Sequence, residues 1–378
     1  MKIVFISNYL NHHQLPLCLE FYNHTCGEFW FVATSSITKE RLSFGYSDMN
    51  KSYSWVVRAY ENSDEKAKAM ELIFNADVVI WGDAPSLFVK KRLKKDKLTF
   101  KYSERIYKRK QKWYELIIRF VQHFVKYKRY RNLYMLCASM FTATDYAKTN
   151  TFVNKCFKWG YFPEIKKIEE VGKLIGRKQD NSIIWAGRFI DVKHPEYAVL
   201  LAERLRRDNF DFSITMVGDG ILLNEIRKEI EDKGLQDKIN LIGAVPAEEV
   251  RTFMENSEIF IFTSDRNEGW GAVLNEAMNS ACACVCDNKI GSTGFLIKDG
   301  QNGVLYEDSN FDDFYQKVVD IIKNEELRKT LSINAYTTME IEWNAVNAVE
   351  KFLMLCENYN KKSKIEFLFE SGVLSKAE

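Results

Sequence analysis

Apolar positions along this chain fall into short continuous runs, separated by longer stretches that read as helices. Residues 1–7, MKIVFIS, read as a first β-strand, and NYLNHHQLPLCLEFY follows as a helical segment carrying Leu15, Leu17, Leu19 and Phe21. EFWFVAT (28–34) and ADVVIWGD (76–83) are two further strands, the second preceded by a charged helical stretch over 62–74. Strands alternating with helices predict a parallel sheet with helices on its faces.

The rhythm restarts near residue 180 and becomes more regular. NSIIWAGR (181–188), FSITMVGDG (212–220), INLIG, EIFIFTS (258–264) and ACACVCD read as successive strands. Between them, 194–207, 221–234 and PAEEVRTFMENS read as helices, the second ending at a C-cap glycine and the third starting on Pro. The restart predicts two doubly wound α/β domains in tandem: a first over residues 1–168 and a second over 181–344. Residues 169–180 are expected as the linker, on the polar, basic run VGKLIGRKQDN (171–181) with its two glycines. A last amphipathic helix over 343–358 carries Trp343, Val346, Val349, Phe352 and Leu353.

Composition narrows this only slightly. The 378 residues are 46% hydrophobic and 28% charged, a globular balance. Eight cysteines include no Cys-x-x-Cys pair, and Cys282, Cys284 and Cys286 alternate as on a buried strand, so no metal centre is expected. Free thiols, a first apolar run too short for a signal segment and no membrane-spanning run predict a cytoplasmic protein.

Charge is more informative. The net charge is only +2, yet Val89–Asn132 holds seventeen Lys or Arg against three Asp or Glu, interleaved with aromatics. Nucleic acid is one partner for such a stretch, but no nucleic-acid module is recognisable. An anionic membrane surface suits it better, with peripheral binding on the inner face of the plasma membrane.

In open α/β sheets, ligands bind beyond the carboxyl ends of the strands. The second domain's strand-end loops carry Gly187-Arg188 with Lys193, Gly218-Asp219-Gly220, Gly243-Ala244-Val245, and the segment NEGWGAVLNEAM. Glycines allow close backbone approach and the two cations face the same rim, which predicts an anion site, most simply for a diphosphate. A nicotinamide-type Rossmann site needs a third glycine three residues after the second and an acid ending the next strand. Ile221-Leu222-Leu223 and Ile242-Gly243 supply neither. Glu268 and Glu276 stand eight positions apart, with Gly269, Trp270, Gly271, Val273 and Leu274 between them. A carboxylate accepts hydrogen bonds from vicinal hydroxyls. One carboxylate for a sugar, backbone amides for phosphate and one carboxylate for ribose fit a nucleotide-sugar.

EGWGAVLNEAM after IFIFTSD resembles the Glu-x7-Glu motif of retaining glycosyltransferases of family 4. AGR with Lys193 (186–193), VGDG (217–220) and IGAVP (242–246) match in order and spacing. YSERIYK (102–108), KCFKWGYFPE (155–164) and NHHQLP (11–16) are similar to a bacterial branch serving capsule, exopolysaccharide or O-antigen assembly. The resemblance implies the GT-B fold, two Rossmann-like domains facing each other across a cleft, with the C-terminal helix (about 345–378) returning to the first domain. It implies that Arg188 and Lys193 stabilise the leaving diphosphate, Glu268 contacts the donor sugar and Glu276 holds the ribose. Gly218 and the 269–274 backbone would line the phosphate path, and Val245 would lie near the base.

The donor would be UDP- or GDP-linked and the acceptor a glycan, expected to be lipid-linked. Retention is implied by the resemblance alone. No Asp-x-Asp motif is present, so no metal and no cofactor are expected. His13 and Glu104, with His12 beside them, are the first-domain candidates for a residue near the reacting centre. Two other readings share the fold: a non-catalytic binding protein using its basic face for nucleic acid or partners, and an epimerase or phosphorylase.

Overall fold

In the computed structural model, which describes residues 1–38, 47–108 and 111–378, the apolar runs assemble into two parallel sheets. The chain divides into two units, Met1–Glu164 with Trp343–Glu378, and Ile165–Glu342. Both are of the Rossmann-like α/β type.

In the first unit the strands are β1 (Ile3–Ser7), β2 (Phe29–Ala33), β3 (Val56–Arg58), β4 (Val78–Trp81), β5 (Thr99–Ser103), β6 (Leu133–Cys137) and β7 (Cys156–Lys158). Their order is β3-β2-β1-β4-β5-β6-β7. Every residue of β1, β4 and β6 is buried. Helices cover both faces of such a sheet, which is why these strands read as unbroken apolar runs. The last helix, Ala345–Lys362, belongs to this unit. It starts two residues later than its apolar pattern predicts, because Asn344 is extended and its side chain accepts the Asn347 N–H (2.8 Å) as an N-cap. Its Phe352 packs on Phe21, Phe100 and Trp159 at ring-centroid distances of 5.4, 4.9 and 5.9 Å.

The basic stretch 89–132 is not one surface. Its residues 109 and 110 lie outside the described residues. Arg92 is fully buried, and its guanidinium donates to the carbonyls of Ile73, Ala76, Asp77 and Leu98 and to Thr99 Oγ1. Lys101 sits on β5, donates to the Gly82 carbonyl (2.5 Å), and is brought down to about 7 by burial and by Lys126. Arg105 is buried beside Asp145. A Lys or Arg with a buried acceptor looks the same in sequence as one in water, so the count overstated the exposed charge.

In the second unit β8 (Gln179–Ala186), β9 (Ser213–Val217), β10 (Ile239–Gly243), β11 (Ser257–Phe262), β12 (Ala283–Asp287) and β13 (Val304–Tyr306) run in the order β10-β9-β8-β11-β12-β13. Residues 169–180 depart from the expected linker, since they are folded into this unit. Val171–Ile175 is a short helix, and Ile175 is buried with Ala281 and Tyr336. Lys178 is buried, its ammonium donating to the carbonyls of Met254, Ser257 and Ser280 at 2.9, 2.6 and 2.9 Å. A polar segment thus serves as a plug, because its cation satisfies carbonyls at the ends of other elements. Cys282, Cys284 and Cys286 are fully buried, and burial pushes their thiols up.

Candidate active site in the second unit

In the second sheet, β8 continues to β9 on one side, while β11 continues to β12 on the other. The crevice beyond the carboxyl ends of β8 and β11 is therefore the topological switch point, where open α/β sheets hold ligands. Two loops meet there: residues 187–193 after β8 and 263–272 after β11.

Their juxtaposition has a specific cause. The Thr263 hydroxyl accepts the Trp185 indole N–H (2.9 Å) and donates to the carbonyls of Lys193 (2.7 Å) and His194 (3.1 Å). The Asp265 amide donates to the Val192 carbonyl (3.0 Å). Thr263 and Trp185 are both buried. One loop is thus pinned to the other at three consecutive carbonyls, and the pinned segment carries Lys193.

The pinning brings Lys193 to Glu268: ammonium and carboxylate lie 2.5 Å apart, both largely shielded from solvent. Lys193 also lies over the Phe262 ring at 5.6 Å from its centroid. An ammonium has three N–H donors, so Lys193 can keep Glu268 and still meet an anion. The turn holding Glu268 is built by Asp265, whose carboxylate accepts the Asn267 N–H (2.7 Å) and whose carbonyl accepts the Glu268 N–H (3.0 Å). His194, with a left-handed φ of 47°, lies between Glu196 (2.7 Å) and Asp265 (3.7 Å). Its pKa is raised, first by the hydrogen bond to Glu196 and then by the charges of Glu196 and Asp265.

Glycines set the neighbouring backbone. Gly218 has φ +136°, and a Cβ there would lie 1.9 Å from the Gly187 carbonyl oxygen. At Gly220 (φ +157°) a Cβ would lie 2.4 Å from the Phe189 carbonyl oxygen. The turn after β9 therefore lies directly against the loop that carries Arg188, whose side chain is exposed. Gly271 (φ +84°) similarly lies under the Phe262 ring.

The remaining predicted residues divide. Trp270 and Leu274 are buried core side chains, and the Trp270 indole donates to Asn275 Oδ1 (2.9 Å). The Leu274 amide donates to the Gly271 carbonyl (3.1 Å). Gly269 is buried, and Val273 opens the helix Val273–Asn279. Glu276 is on that helix, and burial, offset by Arg251, pushes its carboxyl up to about 7. Val245 follows β10, at the far edge of the sheet from β11.

In the first unit, His13 and Glu104 are brought to one residue that sequence reasoning missed. The Tyr161 hydroxyl donates to Glu104 Oε1 (2.5 Å), and its ring stacks with His13 at 5.9 Å. His12 lies against His13 at 3.7 Å between ring centroids. Trp185 and His194 were also missed in the second unit, and for Thr263 and Asp265, which close the strand-end segment IFIFTSD, the sequence reading did not find the contacts that latch the two loops. Only Asp265-x-Asn267, a turn-forming spacing, left a local signal.

Residues 167–338, under half of the chain, match the family described as glycosyl transferases group 1. An uncharacterized glycosyltransferase of Methanocaldococcus jannaschii is 35% identical over 150 residues, covering 39% of this chain and 41% of its own. The N-acetylgalactosamine-N,N'-diacetylbacillosaminyl-diphospho-undecaprenol 4-alpha-N-acetylgalactosaminyltransferase of Campylobacter jejuni is 27% identical over 159 residues, 42% of each chain. The chain thus spans about two fifths of the length of these curated relatives. Among solved structures, HepE of Anabaena in complex with UDP superposes with a TM-score of 0.71 at 13% identity, over 95% of this chain and all of that one. This likeness shows the fold.

Proposed function

We propose that the protein is a glycosyltransferase that moves a sugar from a nucleoside diphosphate sugar to a glycan acceptor. The observation that carries the reading is the Lys193–Glu268 pair at the switch point, with Arg188 and the Gly218 turn beside it. Breaking the anomeric C–O bond leaves a cationic sugar centre and an extra negative charge on the diphosphate. Lys193 and Arg188 meet that charge as preorganised electrostatics, and Glu268 faces the sugar. Glu276 accepts the ribose hydroxyls, the backbone near Gly269–Val273 approaches the phosphates, and Val245 lies toward the base. His13 or Glu104, fixed by Tyr161, serves the acceptor side.

The finer reading is a retaining, metal-independent enzyme of family 4, using a UDP- or GDP-sugar in bacterial surface polysaccharide synthesis. The name of the Campylobacter relative supports a lipid-linked acceptor, and the UDP in the Anabaena structure supports a nucleotide-linked donor. Such an acceptor suits an enzyme on the cytoplasmic membrane face, held there by the exposed cations of the stretch 89–132. Release of nucleoside diphosphate from a panel of UDP- and GDP-sugars, with and without EDTA, tests the reading. Turnover that survives EDTA is expected. A folded protein that neither binds nor turns over any donor refutes it.

A further inference from the structure

The helix Trp113–His123 turns its apolar side the wrong way for a globular protein. A surface helix buries its apolar stripe on the core and shows its polar stripe to water. Here the inward positions are His123 and, just beyond the helix, Tyr127. His123 Nδ1 lies 2.8 Å from Thr149 Oγ1, and Tyr127 packs among Trp81, Tyr146 and Phe152. The outward positions include Trp113 (74% exposed), Ile117 (56%), Ile118 (55%) and Val121 (58%), continued by Phe124 and Val125. At 100° per residue, the exposed apolar side chains from Trp113 to Val121 span an arc of about 160°.

We infer that this face inserts into the headgroup and upper acyl region of an anionic lipid bilayer, with the helix lying in the plane of the surface. Charge selects the occupant. Residues 111–132 hold six Lys or Arg against one Glu. Lys112, Lys126, Lys128 and Arg129 among them are exposed. That cationic band matches anionic headgroups beside the apolar arc. A second copy of the chain would bring two like-charged bands together, which opposes pairing. Trp113 and Tyr114, with an apolar ring and a polar tip, suit the boundary between headgroup and acyl chain. The arc does not extend to Arg92 or Arg105, which are buried, or to Lys101, whose ammonium donates to the Gly82 carbonyl. The inference rests on the proposed membrane location and narrows it from 89–132 to one helix face.

The test is co-sedimentation of the full chain with vesicles of phosphatidylcholine, with and without phosphatidylglycerol, in the absence of nucleotide. The wild type is expected to bind the anionic vesicles, and more weakly at high salt. The double variant Ile117→Glu/Val121→Glu replaces side chains already in water, so its circular dichroism and Tm should match the wild type. Its vesicle partitioning should fall about tenfold or more. Equal binding by the variant overturns the inference. So does a wild type that ignores both vesicles, or one that is a dimer made monomeric by the double substitution. Nucleoside diphosphate release is read in parallel: vesicle binding without turnover of any donor leaves this inference standing and removes the transferase reading.

Discussion

Replacing Thr263 by Val tests whether the loop latch, rather than the charged residues alone, builds the site. The two side chains have nearly the same shape, so packing changes little, but the hydroxyl is lost. In the structure that hydroxyl serves the Trp185 N–H and the carbonyls of Lys193 and His194. Trp185 is only 2% exposed, so its indole N–H would be left without water. An unsatisfied buried donor costs about 1–3 kcal/mol, and the lost hydroxyl donation roughly 1 kcal/mol more. A destabilisation of about 2–4 kcal/mol follows, read as a lower urea midpoint at unchanged m. The second effect is on turnover. Lys193 keeps its charge but loses the anchor on its own carbonyl, and a displacement of about 1 Å can cost roughly 10²-fold in rate. Thr263→Ser keeps the hydroxyl and should recover most of both losses. A Val variant with wild-type urea midpoint and wild-type nucleoside diphosphate release would show that the latch is not what positions Lys193.

Other outcomes follow from the same geometry. Lys193→Ala should fold and should lose about 10²–10³ in kcat for nucleoside diphosphate release, measured in single-turnover experiments. Glu276, whose carboxyl is raised by burial to about 7, binds its proton more tightly folded than unfolded. It therefore costs nothing below the unfolded value, and the cost grows as pH rises from there to the folded value, above which it is constant. Thermal unfolding of Glu276→Gln against wild type should show a stability advantage for the variant that grows from the ordinary carboxylate range, 4.5, up to about 7 and then levels off; a constant difference across that range would contradict it. Arg92→Ala leaves four carbonyls around a buried hole. Such a loss should cost at least about 3 kcal/mol, checked by urea unfolding, and Arg92→Lys should not restore the planar fork.

The two sheets were legible because parallel strands buried on both faces leave apolar runs that helices interrupt, as IVFIS and SIIWA do. The strand-end glycines were legible because Gly218 and Gly220 hold backbone conformations other residues avoid. Lys193 and Glu268 were each singled out in the sequence, but their pairing was not. It depends on Thr263, seventy residues from Lys193, and a hydrogen bond between distant loops has no local pattern. The linker failed for a related reason: Lys178 looks solvent-loving until the carbonyls of Met254, Ser257 and Ser280 surround it. The basic stretch was read as one face because charge counts carry no direction, whereas β5 runs through its middle and takes Lys101 inward.

The close contact of Gly218 with the Gly187 carbonyl has a consequence for anyone sampling variants of this protein. A methyl group at 218 collides with the main chain whether or not a ligand is present, and the same holds at 220 against Phe189. A library selected only for soluble, folded chains would therefore already return glycine at both positions. Selection for turnover would add a second set on top of it, headed by Lys193 and Glu268. Comparing the two selections separates residues that shape the loop from residues that handle the ligand.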